Sequence, residues 1–255
     1  MLPLNFKSYG DFKNPHLIIL HGFLGSADNW HTLAKQFSSD FYVWAIDQRN
    51  HGRSPHAYEF HYDILVDDLY EFIENHSIEQ PILLGHSMGG KVAMQFALYY
   101  QPIVNKLIVA DMAPYAYPHH HQIVLDALQS IDLNQYQKRE EIEEALSKYI
   151  KEWDTRQFIM KSLYYVNGKY HWRFYLESLI NNYEQILKSV NGKPFEKSTC
   201  FIKGSNSQYI DEKRWNEILR LFPKAELKVI QGAGHWIHAE KPNEFYQTVM
   251  DFLKN

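Results

Sequence analysis

Pro81-Ile82-Leu83-Leu84-Gly85-His86-Ser87-Met88-Gly89, followed closely by Lys91-Val92-Ala93-Met94-Gln95-Phe96-Ala97, is the stretch that decides the fold. Its opening apolar run suits a buried strand and its closing run suits a helix. A strand that becomes a helix within one turn strains its backbone at the junction, and flanking glycines let the chain and its neighbours approach there. Ser87 stands at the apex of that turn. Its hydroxyl is expected to project into a cleft, with the N-terminus of the following helix behind it to favour developing negative charge. The five-residue pattern is common, and the strand, turn and helix around it make it specific.

Apolar, β-branched runs recur on either side of this turn: Leu17 to Leu20, Phe41 to Ile46, Ile82 to Leu84, Leu107 to Ala110, Cys200 to Ile202 and Leu227 to Ile230. Helical stretches lie between them, so the alternation predicts a mostly parallel central sheet flanked by helices. Asn29 is expected to cap a first helix reaching about Phe37. Residues 62 to 75 carry Ile64, Leu65, Leu69, Phe72 and Ile73 at helical spacing, and Pro242 begins a last helix ending near Leu253. The rhythm breaks after Asp111. Residues 112–197 show no buried parallel strand and carry charged, amphipathic patterns such as Lys138 to Trp153, which predicts a helical cap inserted into a core of residues 1–111 and 198–255. Within it, the Asn167-Gly168 step between Tyr164-Tyr165-Val166 and Lys169-Tyr170-His171-Trp172 signals a tight hairpin, with a helix-loop-helix as the alternative.

Composition narrows the function classes. The 255 residues are 45% hydrophobic and 22% charged, which suits a soluble globular protein with an extended core. A formal net charge of −4 supplies no basic surface for nucleic acid and no polybasic membrane patch. Cys200 is the single cysteine, so no intrachain disulfide can form. The opening residues do not read as a signal peptide and no apolar run reaches membrane-spanning length, so a cytoplasmic protein is expected. His119-His120-His121 does not read as a metal set, because consecutive side chains rarely converge on one ion. The glycines around Ser87 form neither a phosphate-binding loop nor a dinucleotide fingerprint. Neither a metal nor a cofactor is expected, and the oligomeric state stays open.

Serine hydroxyl is too weakly acidic to attack an ester unaided, so Ser87 calls for a general base and a carboxylate to hold that base. Gly232-Ala233-Gly234-His235-Trp236 follows the last expected strand and lets a histidine lean over the sheet edge. His235 is therefore the candidate base, ahead of His238, and His86 is a supporting contact. The acid often follows the penultimate strand in a Gly-x-x-Asp turn, but that place reads Gly204-Ser205-Asn206-Ser207. Asp111, directly after Leu107 to Ala110, keeps the chain order serine, acid, histidine and is the first candidate; Asp211 is the fallback, with the look of a helix N-cap. Two backbone amides, of Phe23 in His21-Gly22-Phe23-Leu24-Gly25 and of Met88, are the candidate oxyanion donors. Asp47 and Arg49 are read as tying a loop together.

The set His21-Gly22, Asp47-Gln48-Arg49-Asn50-His51-Gly52-Arg53-Ser54, Gly85 to Gly90 and Gly232 to His235 resembles the α/β-hydrolase fold family along the whole chain. Val109-Ala110-Asp111-Met112-Ala113-Pro114 with Gly204 to Ser207 is similar to the small bacterial YbfF-type serine esterases, in which the acid follows the sixth strand. The resemblance implies a cofactor-free carboxylic ester hydrolase with its site between core and cap, and it favours Asp111. A serine at position 87 argues against dehalogenase and epoxide-hydrolase chemistry. The expected activity is hydrolysis of small esters with short to medium acyl chains through an acyl-enzyme, with Phe23, Met88, Tyr115 and Trp236 lining the pocket. A thioesterase, a non-catalytic small-molecule receptor, and a C–C hydrolase or lyase remain alternatives.

Overall fold

The computed structural model describes residues 1–254. Nine strands occur among the described residues, in chain order: β1 (Phe6–Tyr9), β2 (His16–Leu20), β3 (Tyr42–Ile46), β4 (Ile82–His86), β5 (Leu107–Ala110), β6 (Leu163–Val166), β7 (Lys169–Trp172), β8 (Thr199–Gly204) and β9 (Ala225–Ile230). Seven of them form one sheet in the order β1-β3-β2-β4-β5-β8-β9, parallel throughout except for β1. Along the central strands successive side chains enter opposite layers. Ile18, Leu20, Leu83 and Val109 belong to one apolar cluster, and Leu17, Ile19, Leu84 and Ile108 to the other. That alternation is why these strands read as continuous apolar runs, since both faces are covered.

The helices of the core before the break in rhythm are α1 (His31–Phe37), α2 (Tyr62–Asn75) and α3 (Met88–Tyr99). Helix α2 has the bounds its apolar spacing predicts. The first helix differs: Ser26, in extended conformation, precedes a 3-10 turn (Ala27–Trp30) that runs into α1, and Asn29 serves three residues on by accepting the Ser26 N–H at 2.8 Å. Strand β1 was not expected either. Phe6-Lys7-Ser8-Tyr9 is a short, mostly half-buried edge strand paired antiparallel to β3, and a segment with so little apolar continuity gives no strand signal.

Between β5 and β8 the chain makes α4 (Gln122–Ser130), α5 (Arg139–Ser147), α6 (Trp153–Met160), the β6-β7 hairpin, α7 (Leu176–Asn181) and α8 (Tyr183–Leu187). None of these adds a strand to the main sheet. The hairpin turns on Asn167 (φ 50°) and Gly168 (φ 80°), the paired positive φ angles that an Asn-Gly step accommodates. The pattern over Lys138 to Trp153 yields one helix, α5, which ends at Ser147, and Trp153 opens the next, α6. Contacts to helix α3 fix the return of this segment: Lys91 Nζ donates to the carbonyls of Leu187 and Lys188, and Gln95 exchanges hydrogen bonds with the Asn191 backbone at 2.6 and 3.1 Å. Burial pushes the Lys91 ammonium down to about 7.

After β8, α9 (Trp215–Leu221), α10 (Ile237–Glu240) and α11 (Pro242–Lys254) complete the core. The loop after β3 is anchored from within. Asp47 accepts Asn5 Nδ2 and the amides of Ala27 and Arg53 at 2.7 to 2.9 Å, and Arg49 forms a fork onto Asp68 at 2.5 and 2.8 Å with both side chains buried. Asp68→Ala leaves the Arg49 guanidinium buried without its counter-charge. It is expected to lower unfolding stability by about 3–5 kcal/mol in urea titration, whereas a loss under about 1 kcal/mol would show that water replaces the carboxylate freely.

Candidate active site

Ser87 lies between β4 and α3 with φ 53° and ψ −121°, a left-handed conformation that a residue with a side chain adopts only under constraint from its surroundings. Gly85 and Gly89 explain how the turn closes. A Cβ on Gly85 would run into the backbone of Gly89 and Gly90, and one on Gly89 into the carbonyls of Leu20 and His21. Gly22 brings the loop after β2 against the same turn, since a Cβ there would lie 3.2 Å from that of Ser87.

Three side chains from separate elements converge at the carboxyl edge of the sheet. His235 Nε2 lies 3.0 Å from Ser87 Oγ, and its Nδ1 lies 2.7 Å from Asp111 Oδ2. Asp111 follows β5, is fully buried and has φ 50°. Its Oδ1 accepts the Gly204 amide at 3.2 Å, and its Oδ2 also accepts the Ser207 hydroxyl in a short hydrogen bond. Ser207 occupies the fourth place of the Gly204 turn, where no carboxylate stands. Tyr209 stacks on the His235 ring at 3.8 Å and 15°, and His86 Nε2 meets the His235 carbonyl at 2.9 Å. Neither Ser207 nor Tyr209 was singled out from sequence, because each acts through a neighbour that lies far away in the chain.

Asp211 is not part of this cluster. It is exposed, and its carboxylate accepts the Lys213 amide at 2.9 Å as the cap of the short turn before α9. His238 is also apart, buried flat against Trp30 with ring centres 4.3 Å apart. Met88 opens helix α3, so its amide has no acceptor within the helix. The Leu24 amide donates to His51 Nε2, while that of Phe23 has no protein acceptor among the described residues.

Two small cavities flank Ser87. One, of about 40 Å³, is bounded by Phe23, Leu24, Phe158, Ile159, His235 and Trp236 among others, and the second, of about 20 Å³, by Phe23, Met88, Tyr62, Tyr117 and Ile186 among others. Phe23, Met88 and Trp236 are thus wall residues, but Tyr115 is not. Its hydroxyl donates to the Tyr209 carbonyl and accepts the Asp211 amide, while its ring lies 3.6 Å from the Arg214 guanidinium. Tyr115 supports the loop carrying Ser207 and Tyr209. In the histidine run His119 and His120 are exposed, whereas His121 is half-buried and borders both cavities. No group of His, Cys, Asp and Glu side chains suited to a metal ion occurs among the described residues.

With the fold and this geometry established, comparison with known proteins gives the family. Residues 15–242 match the alpha/beta hydrolase fold family. Over 98% of this chain and 81% of its own length, the sn-1-specific diacylglycerol lipase ABHD11 of Danio rerio is 39% identical. Esterase YbfF of Escherichia coli is 31% identical over 95% of this chain and 94% of its own. A solved structure described as a marine microorganism esterase superposes with a TM-score of 0.96 at 41% identity, covering 99% of this chain and 100% of that one. The chain belongs to the alpha/beta hydrolase fold family, and it is a hydrolase. No helix among the described residues is long and apolar enough to cross a membrane.

Buried histidines beneath the site impose a pH dependence on stability. His21 and His51 each face a carbonyl through Nδ1 (Gly22 at 2.8 Å, Arg49 at 2.9 Å) and accept an amide through Nε2 (Gln48 at 3.0 Å, Leu24 at 3.1 Å). Only the neutral ring does both. Burial holds His21 down to about 4 and His51 to about 3, from 6.5. The unfolded chain therefore binds more protons than the folded one below pH 6.5, and stability falls as pH drops from there toward 4. Urea unfolding at neutral pH and at pH ~5 should differ by at least ~2 kcal/mol, the contribution of one such ring; equal stabilities would mean that these rings titrate normally.

Proposed function

We propose that this hydrolase is a serine carboxylesterase acting on small esters with short to medium acyl chains, and the observation that carries the reading is the unbroken relay from Ser87 Oγ through His235 to Asp111. His235 takes the Ser87 proton as the hydroxyl oxygen attacks the ester carbonyl. The resulting oxyanion is held by the Phe23 and Met88 amides, whose placement before any charge appears is what lowers the barrier. Collapse expels the alcohol, which receives the proton from His235 and leaves an acyl group on Ser87. Water, deprotonated by His235, then attacks the acyl carbonyl, and collapse returns the proton to Ser87 Oγ with release of the acid.

Asp111 holds the histidine with Nδ1 protonated, leaving Nε2 free to accept. Ser207 and the Gly204 amide in turn fix the carboxylate. Residues 112–197 act as a cap over the core of residues 1–111 and 198–255, a reading supported by His121, Thr155 and Phe158 of this segment, which line the cavity together with Ser87. Substrate reaches Ser87 between the two, and the smaller cavity, on the Met88 side, suits a short acyl group. The esterase and lipase names of the relatives support the same chemistry. The intact relay supports turnover over passive binding on the same fold.

Hydrolysis of p-nitrophenyl esters from acetate to palmitate, run beside Ser87→Ala with intact-mass detection of an acyl adduct, tests the reading. Activity strongest at the short end and absent in the variant is expected, and no turnover by folded wild-type protein would overturn it. Asp111→Asn is expected to lower kcat by ~10⁴-fold with the fold intact, while Asp211→Asn changes it less than about two-fold, consistent with an exposed surface position. The reverse pattern would reassign the acid.

A further inference from the structure

His121 is the polar side chain that the segment after β5 contributes to both cavities beside Ser87. Its surroundings determine which of its nitrogens carries the proton. Tyr183 Oη accepts the His121 amide at 2.9 Å and the His120 amide at 3.4 Å, which occupies its acceptor capacity. The phenolic hydrogen therefore goes to His121 Nδ1, 3.1 Å away. A neutral ring that accepts at Nδ1 carries its hydrogen on Nε2. Burial, with His120 and His235 nearby, keeps the ring neutral by pushing it down to about 3. The backbone bond to Tyr183 already pins the loop, so the ring contact adds orientation: it fixes a donor at the cavity wall, with Phe23 against the ring at 5.5 Å. Nε2 has no protein partner among the described residues.

The larger of the two cavities is the one that His235 borders. Because His235 gives its proton to the departing alcohol, that cavity is the place of the alcohol half of the substrate. We propose that His121 is a substrate-binding residue that donates Nε2–H to an oxygen of the alcohol portion, so that the enzyme selects esters whose alcohol bears an ether or hydroxyl oxygen close to the ester link, as glycol and glycerol esters do. The assignment rests on Ser87 being the nucleophile and His235 the acid for the leaving group. An alcohol that lacks this oxygen covers the Nε2–H donor without pairing it, which is the kind of mismatch that separates near-isosteric substrates.

The test compares 2-methoxyethyl butyrate with butyl butyrate, two esters of nearly equal shape that differ by one oxygen in the alcohol. The readout is the ratio of their kcat/KM values in a pH-stat. Wild-type protein is expected to favour the methoxyethyl ester by about ten-fold. His121→Phe should collapse that ratio, His121→Asn, which keeps a donor, should recover part of it, and Tyr183→Phe should reduce it by freeing the tautomer. The ratio is insensitive to general damage to the site, which slows both esters together. A wild-type ratio near one, or the same ratio in wild type and His121→Phe, would overturn the assignment while Ser87-dependent turnover remained. Turnover of both esters by Ser87→Ala would instead remove the reading on which it rests.

Discussion

The carboxylate of Asp111 is the point on which the site is organised. It is fully buried, and a buried carboxylate is tolerated only where donors replace its water. Three donors reach it: the Gly204 amide at the end of β8, the Ser207 hydroxyl in the loop beyond, and His235 Nδ1 from the loop after β9. Because β5, β8 and β9 are adjacent and parallel, their carboxyl ends lie side by side, and the loops that follow them are within reach of one another. A parallel sheet thus does for side chains from distant parts of the sequence what no local motif could.

The other half of the arrangement is backbone strain. Ser87 and Asp111 both have positive φ, at the ends of neighbouring strands β4 and β5. Strain of this kind persists only where packing over-determines it. Here Gly22, Gly85 and Gly89 remove the atoms that would obstruct the close approach of three chain segments, and buried apolar layers on both faces of the sheet hold those segments in place. The stability of the fold and the exposure of the serine hydroxyl are two consequences of one packing arrangement.

Much of this was legible in the residues themselves. Strands buried on both faces announce themselves as continuous apolar runs, so β2, β4 and β5 were readable within a residue or two, whereas β1, half-buried at an edge, left no pattern. Ser87 and His235 were marked by their small-residue surroundings. Asp111 emerged because Gly204 to Ser207 carries no acid, and Ser207, standing where that acid would be, now donates to it. Less visible were residues whose position depends on folding of the segment between β5 and β8. Tyr115 reads as a pocket aromatic but turns its hydroxyl to the Tyr209 loop, and His121, one of three consecutive histidines with no metal pattern, borders the cavities beside Ser87 with its amide and ring captured by Tyr183, sixty-two positions on. Local periodicity carries no information about such long-range hydrogen bonds.

The central claim is that Ser87 is the activated nucleophile. Reaction with an alkyl fluorophosphonate, followed by proteolysis and tandem mass spectrometry, tests it directly. One phosphonyl group per chain, located on Ser87 and formed far more slowly after His235→Ala, is the predicted result. An unmodified Ser87, with the phosphonyl group on another residue or absent, would contradict the account.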